Sequence, residues 1–246
     1  MKKTLPSVVT IGLVLLAAGC DTTGLSPRER SGVSYSNYIL ALQSKAAPAT
    51  NHLALPISLA VVQVGESAPP KSMLDKLGSE SALVASTTAL PLPADAERWY
   101  TVKDSAKEPA TDYEKRMKTI CGLAQSTGAD YVFIFGGNLD SWRKNNFLSF
   151  FDITILGGFI FPGSKLNVEG KSAGSLIEAA TGEPVLFVST DAKESGISPD
   201  FLSDGKLDHL RAKVRDVLIA NLTDELLKRI AAKSHAGPKA VAEPNH

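Results

Sequence analysis

The chain has 246 residues, of which 43% are apolar and 21% charged, ordinary values for a globular protein long enough to bury a core without metal or disulfide staples. Its 26 basic and 26 acidic residues balance, and loss of residues 1–19 would leave 24 against 26. That balance excludes an overall electrostatic footprint for nucleic acid and a strongly basic surface for anionic lipid.

In chain order, Lys2 and Lys3 precede an apolar run from Val8 to Ala18, interrupted only by Thr10 and Gly12. Eleven residues are too few to span a bilayer stably, but they suit the core of a secretory signal. The run closes in Leu16-Ala17-Ala18-Gly19-Cys20, which resembles the lipobox of bacterial lipoproteins. Small side chains give a peptidase access to the bond, and the thiol carries the lipid. The resemblance implies residues 1–19 as a signal peptide and Cys20 as the lipidated N-terminus. It also implies several acyl chains, which anchor stably where one does not. Asp21 follows the cysteine, and in the enteric sorting pattern this implies retention at the inner membrane. With Cys20 acylated, Cys121 has no partner in the chain, so no intrachain disulfide is expected and Cys121 reads as a small buried apolar residue.

Residues 20–52 read as a lipidated tether and linker, with a short amphipathic helix over 34–44 carried by Tyr35, Tyr38, Ile39 and Leu42. The body is expected over 53–232. Ile57 to Val64 is a nearly unbroken apolar run, the pattern of a strand covered on both faces. After Pro69-Pro70, Ser72 is placed to cap a short helix that Gly78 ends. Ser81 to Leu92 reads as a second strand, and Trp99 and Tyr100 as packing a loop onto the core. Thr111 and Glu114 form a capping box before a helix whose apolar face is Tyr113, Met117, Ile120, Cys121 and Ala124. Gly128 ends that helix in a left-handed cap, and Tyr131 to Phe135 follows as a buried strand.

The pattern then changes. Apart from Ser149, Asp152 and Thr154, the stretch Phe147–Phe161 holds only Phe, Leu, Ile and the pair Gly157-Gly158. Lys165 to Ala179 reads as a strand, half-exposed at its start, and Thr181-Gly182-Glu183 turns it into a hairpin partner over Val185–Thr190. A long helix over 206–232 is marked by Leu207, Leu210, Val214, Val217, Leu218, Leu222, Leu226 and Ile230. Residues 233–246 read as a disordered tail. The predicted class is α/β to α+β: a mixed sheet with an antiparallel C-terminal meander, flanked by helices that include a long C-terminal one.

Gly128-Ala129-Asp130-Tyr131-Val132-Phe133-Ile134, with Thr154–Phe159, the Pro162-Gly163 turn and the strand pair joined at Ala180-Thr181-Gly182, resembles the rhombotarget lipoproteins. More remotely, the stretch over residues 55–232 is similar to the α/β domain of curli-secretion-type lipoproteins and of the N-terminal part of the Tol-system β-propeller protein. The resemblance implies the fold and, through the family name, an association with rhomboid-type proteases.

The residues themselves show no catalytic constellation. His52, His209, His235 and His246 have no metal-ligand spacing, so no metal and no cofactor are expected. Gly170-Lys171-Ser172 echoes a phosphate-binding loop, but Lys165 stands where that motif needs its first glycine. Gly136-Gly137 reads as a bulge or close contact within the sheet. Asp130 stands where helix hands over to strand and is placed to accept free backbone amides, and Arg143 and Lys144 are the nearest basic partners for Asp152.

The resulting expectation is a non-enzymatic, lipid-anchored envelope protein with its body in the periplasm, binding envelope proteins through an interaction module. The alternative is a subunit of an oligomeric secretion or pore assembly, a homo-oligomer included. Phe147, Phe151 and Phe159 are the candidate interaction surface; the competing reading is that the C-terminal helix covers them as core.

Overall fold

A computed structural model of the chain describes residues 29–31, 53–91, 110–145, 164–198 and 202–235. Its elements are β1 (Glu29–Ser31), β2 (Ile57–Gln63), α1 (Lys71–Ser79), β3 (Val84–Ala89), α2 (Ala110–Ser126), β4 (Tyr131–Asn145), β5 (Ser164–Glu178), β6 (Pro184–Ser198) and α3 (Ser203–His235). One sheet runs in the order β3-β2-β4-β5-β6, and β1 pairs with β4. The chain divides into two compact units, which the long strands and α3 both enter. One comprises Ser31–Leu139, Glu169–Ala192 and Lys213–His246, and the other Met1–Arg30, Asp140–Val168 and Lys193–Ala212.

In the larger unit β2 pairs in parallel with β3 on one side and with β4 on the other. Parallel neighbours cannot be joined by a tight turn, so each step needs a crossover, and α1 and α2 supply the two. The steps run in opposite directions from β2. A right-handed crossover then places the two helices on opposite faces. The core shows this division. Ala60, Val62, Val132, Ile134 and Ile177 pack with Met117, Ile120, Cys121 and Ala124 of α2. Leu59, Val61, Phe133, Phe135 and Leu176 pack with Met73 and Leu77 of α1 and with Leu222, Leu226 and Ile230 of α3. The unbroken apolar run over β2 therefore has the cause the sequence suggests: its alternate residues enter two cores.

β4 and β5 run antiparallel. The Ala179 N–H donates to the Asp130 carbonyl, while farther along a Cβ on Gly137 would lie 2.7 Å from the Lys171 carbonyl oxygen. The β5–β6 hairpin closes at Gly182, whose φ of +74° needs glycine, with the Glu183 N–H donating to Thr181 Oγ1 at 3.2 Å. The mixed sheet with an antiparallel C-terminal meander and flanking helices is as the sequence predicts.

Gly128 ends α2 as expected, at φ +78°. The Ala129 N–H reaches back to the Ala124 carbonyl and the Gly128 N–H to the Gln125 carbonyl, a Schellman pair that satisfies carbonyls the helix leaves open. Asp130 then joins three strands. Its N–H donates to the Ser58 carbonyl, its own carbonyl accepts from Ala179, and its carboxylate accepts the Ser58 N–H at 3.4 Å. Glycine, small apolar and aspartate at 128–130 are thus each needed where they stand.

Other expectations are corrected. Ser72 does not cap α1: the cap position is Pro70, with no side-chain bond, and Ser72 lies inside the helix. Gly78 is helical rather than left-handed, and Glu80 closes α1 by donating its N–H to the Leu77 carbonyl. α2 begins at Ala110, one residue before Thr111. β4 extends ten residues beyond Phe135, β6 reaches Ser198, and α3 starts three residues earlier than expected and continues to His235. The predicted helix over 34–44, Trp99 and Tyr100, Asp152, the side chains of Thr111, Tyr113 and Glu114, and the whole of Phe147–Phe161 lie outside the described residues.

Gly128→Ala should cost about 1–2 kcal/mol, because an L-residue resists the left-handed region and no contact within 4 Å offsets the strain. Gly174→Ala should cost at least as much for a steric reason: its Cβ would meet Phe133 Cζ at 2.5 Å. Urea unfolding of the full chain measures both, and an unchanged midpoint for either variant would contradict its assigned role.

Candidate functional site

The carboxyl end of β2 lies against the middle of β4, where Gln63 pairs with Phe135, and the chain leaves there towards β3 while β4 runs on to Asn145. β2 therefore stops short of its neighbour, which leaves a gap in the sheet beyond Gln63. A cleft of about 170 Å³ occupies it. Gly65, at φ +82°, turns the chain away after β2, and the Val64 N–H donates to the Phe135 carbonyl, which holds the end of β2 against β4. Leu139, Leu218 and Ile219 form an apolar wall, while Gln63, Glu66, Asn138 and Arg215 supply polar groups.

Glycine sets the size of this cleft. A Cβ on Gly137 would meet the Lys171 carbonyl, so β4 and β5 come closer here than side chains allow. Ser172 hydrogen-bonds the Gly136 carbonyl at 2.8 Å, which occupies the hydroxyl rather than activating it. Gly170 faces Leu139, Val214 and Leu218, all within 3 Å of where its Cβ would be. Close packing, as read from the sequence, holds at Gly137, and Gly170-Lys171-Ser172 belongs to strand β5 rather than to a phosphate loop. At about 170 Å³ the cleft is smaller than the roughly 300–1,000 Å³ of sites that enclose a cofactor-sized ligand. Its chemistry, one cation, one carboxylate, two amides and an apolar wall, suits a single polar side chain of a partner.

Two broader hollows border the opposite core. One, about 550 Å³, lies between α2 and the β5–β6 turn and touches Met117, Cys121 and Pro184. The other, about 500 Å³, lies by Leu55, Asp130, Tyr131 and Glu178. Gln125 borders both, and its side-chain amide donates to the Ala179 carbonyl. Burial pushes the Cys121 thiol up from its ordinary pKa. Burial, then the charges of Glu178 and Asp130, push the Tyr131 hydroxyl up. Neither group is poised as a nucleophile or base at neutral pH.

Of the residues singled out from sequence, Asp130 accepts a backbone amide as expected, and Arg143 Nη1 donates to Ser203 Oγ at 2.9 Å. His209 is exposed on α3. Cys20, Asp21, Phe147, Phe151 and Phe159 lie outside the described residues. Among the described residues no cluster of His, Cys, Asp and Glu could hold a metal ion, and no helix is long and apolar enough to cross a membrane. Gln63, Glu66, Asn138 and Arg215 were not marked by the sequence: they share no motif, and only the strand order brings them together.

No protein-family model matches the chain, and no curated protein matches it. Among solved structures it is similar to the lipoprotein GNA1162 of Neisseria meningitidis, at 17% identity over 65% of this chain and 99% of that one, with a TM-score of 0.26. It is also similar to the PelC dodecamer of Paraburkholderia phytofirmans, at 15% identity over 76% and 93% of the two chains, TM-score 0.25. The C-terminal domain of LpoB from Salmonella enterica matches at 11% identity over 64% and 95%, TM-score 0.23. TM-scores this low do not establish a common fold.

The buried Cys121 thiol should react slowly with a disulfide reagent at pH 8 in the native chain and fully once unfolded. Rapid native reaction, followed by absorbance of the released thiol, would show that the thiol is accessible.

Proposed function

We propose that the chain is a lipid-anchored protein of the bacterial cell envelope whose periplasmic body binds other envelope proteins and catalyses no reaction. One observation carries the anchoring: an eleven-residue apolar run that ends in Leu16-Ala17-Ala18-Gly19-Cys20. Two observations support binding over chemistry. The Phe147–Phe161 run is more apolar than one face of a small sheet needs. The cleft at the end of β2 has the volume and mixed polarity for a side chain, and its one hydroxyl, on Ser172, is already engaged. The resemblance to rhombotarget lipoproteins makes an envelope protease system one candidate partner. A second reading, a subunit of an oligomeric secretion or pore assembly, draws support from β6, a 15-residue strand at the end of the sheet order where another copy could add its own strand.

Mass spectrometry of the membrane-extracted chain should find acylated Cys20 at the N-terminus. An unmodified or different terminus overturns the anchoring. Asp21 favours the inner membrane, so fractionation should recover wild type there and shift Asp21→Ser outward. Recovery of both in the outer membrane removes that reading.

Changing Phe147, Phe151 and Phe159 to Ser separates interaction surface from core. As a surface, the triple variant keeps its melting temperature and loses partner binding or self-association. As core, it unfolds, since each buried Phe contributes about 3–5 kcal/mol.

A further inference from the structure

We propose that the cleft at the end of β2 is a carboxylate subsite that takes one aspartate or glutamate side chain of the partner protein, gripped by Arg215. This rests on the protein-binding reading above and names what the cleft would recognise.

The cleft exists because a side chain is missing. Along β4 alternate residues face α3. Phe133 and Phe135 pack with Leu222, Leu226 and Ile230, and Leu139 meets Val214 and Leu218 about the place of a Gly170 Cβ. Gly137 falls between Phe135 and Leu139 in that alternation and fills nothing. Past Gln63, β2 supplies no neighbour either. The hole so left lies wholly within the larger unit, and every residue that lines it is described.

The polar groups around it are uncommitted. Several long polar side chains of the body are taken: Gln125 bonds the Ala179 carbonyl, Lys233 the Val185 carbonyl, Arg229 the Glu225 carboxylate, and Arg211 the Ser141 hydroxyl. By contrast, the side chains of Gln63, Glu66 and Arg215 make no hydrogen bond or ion pair among the described residues. Gln63 is half-buried, so its open amide gains from a ligand that replaces water there. It follows Leu59 and Val61 in the strand alternation and so faces α3. Arg215 stands three and four positions before Leu218 and Ile219, on the same side of the helix as that apolar wall. Two donors therefore converge on the hole, one from the sheet and one from the helix.

This arrangement selects among ligands. A guanidinium holds a carboxylate by two parallel bonds, and a carboxamide N–H adds a third. Leu139, Leu218 and Ile219 cover the methylene stem of an acidic side chain, a part that a phosphate lacks. Glu66, in the exposed turn after Gly65, repels a doubly charged anion and a run of acids. A lysine would suit Glu66 but bring its ammonium group against Arg215. One isolated carboxylate on an aliphatic stem meets every condition, and about 170 Å³ admits little more.

The test has two arms, both on the full chain. In detergent, the amide signals of Gly137, Asn138 and Leu139 are followed by NMR while N-acetylglutamate amide, its glutamine and lysine counterparts, and inorganic phosphate are added in turn. The glutamate probe should give saturable shifts, with the weak affinity expected of so few atoms. Arg215 is exposed, so Arg215→Gln leaves the core intact and should weaken that binding at least five-fold, whereas Glu66→Gln should tighten it about two-fold. Equal shifts from the glutamine, lysine or phosphate probe, no saturable shift from the glutamate probe, or binding unchanged in Arg215→Gln each overturn the carboxylate subsite. In the second arm a photo-crosslinking residue replaces Gln63 in cells. Wild-type Arg215 should give a crosslinked partner that Arg215→Glu loses. A crosslink that persists in Arg215→Glu overturns the carboxylate subsite and leaves the protein-binding reading standing. No crosslink beside a positive NMR result means a free carboxylate fills the cleft, which overturns both the partner as its source and the protein-binding reading of this cleft.

Discussion

The rest of the body depends on burying β2 on both faces and along both edges. A strand whose alternate side chains are Ile57, Leu59 and Val61 on one side and Ala60, Val62 and Val64 on the other leaves no face for water. Each Ile, Leu or Val among them contributes about 1.5–3 kcal/mol when fully buried, so exposing either face would remove a large share of the roughly 5–15 kcal/mol that holds a domain folded. Parallel neighbours on both edges follow, and with them two crossovers and two helical layers. Because β2 ends beside a longer β4, the cleft opens just past its last residue. β2 thus shapes both the core and the candidate site.

The second constraint is the handover at 128–130. Parallel β2 and β4 can align only if the chain leaves α2 in one sharp step and enters the sheet in register. Gly128 makes the step, Ala129 fills the 7%-exposed space behind it, and Asp130 binds β2 and β5 together. A larger side chain at 129 would have to displace the α2–sheet contact. A residue lacking a carboxylate at 130 would lose the bond to the Ser58 amide.

Glycines act in the opposite sense within β4 and β5, removing side chains where backbone and core must meet. Gly137, Gly170 and Gly174 bring the strands against Lys171, Leu218 and Phe133. The close packing leaves a cleft for a side chain rather than a nucleotide. A body of this kind offers shape and edges to a partner.

Much of this was legible in the sequence because it is written in local chemistry. The two-faced burial of β2, the Met117–Ala124 face of α2, the left-handed Gly128, the turn at Gly182 and the long apolar stripe of α3 each follow from periodicity or from a backbone conformation that few residues adopt. The length of β4 and β6 was not legible, because Gly136–Asn145 and Asp191–Ser198 are largely polar and carry no apolar run. They are strands because their backbone groups find ladder partners and because polar side chains such as Arg143 and Ser203 bond each other. Ser72 and Gly78 misled for a related reason: the α1 boundaries were set by Pro70 and by the turn at Glu80. The cleft was hidden altogether. Gln63, Glu66, Asn138 and Arg215 are scattered over about 150 positions and carry no pattern. The sequence by itself determined which segments had to be buried and where α2 stops. Only the tertiary structure decided which strand ends became neighbours, because strand order depends on pairing between distant segments rather than on any property of one.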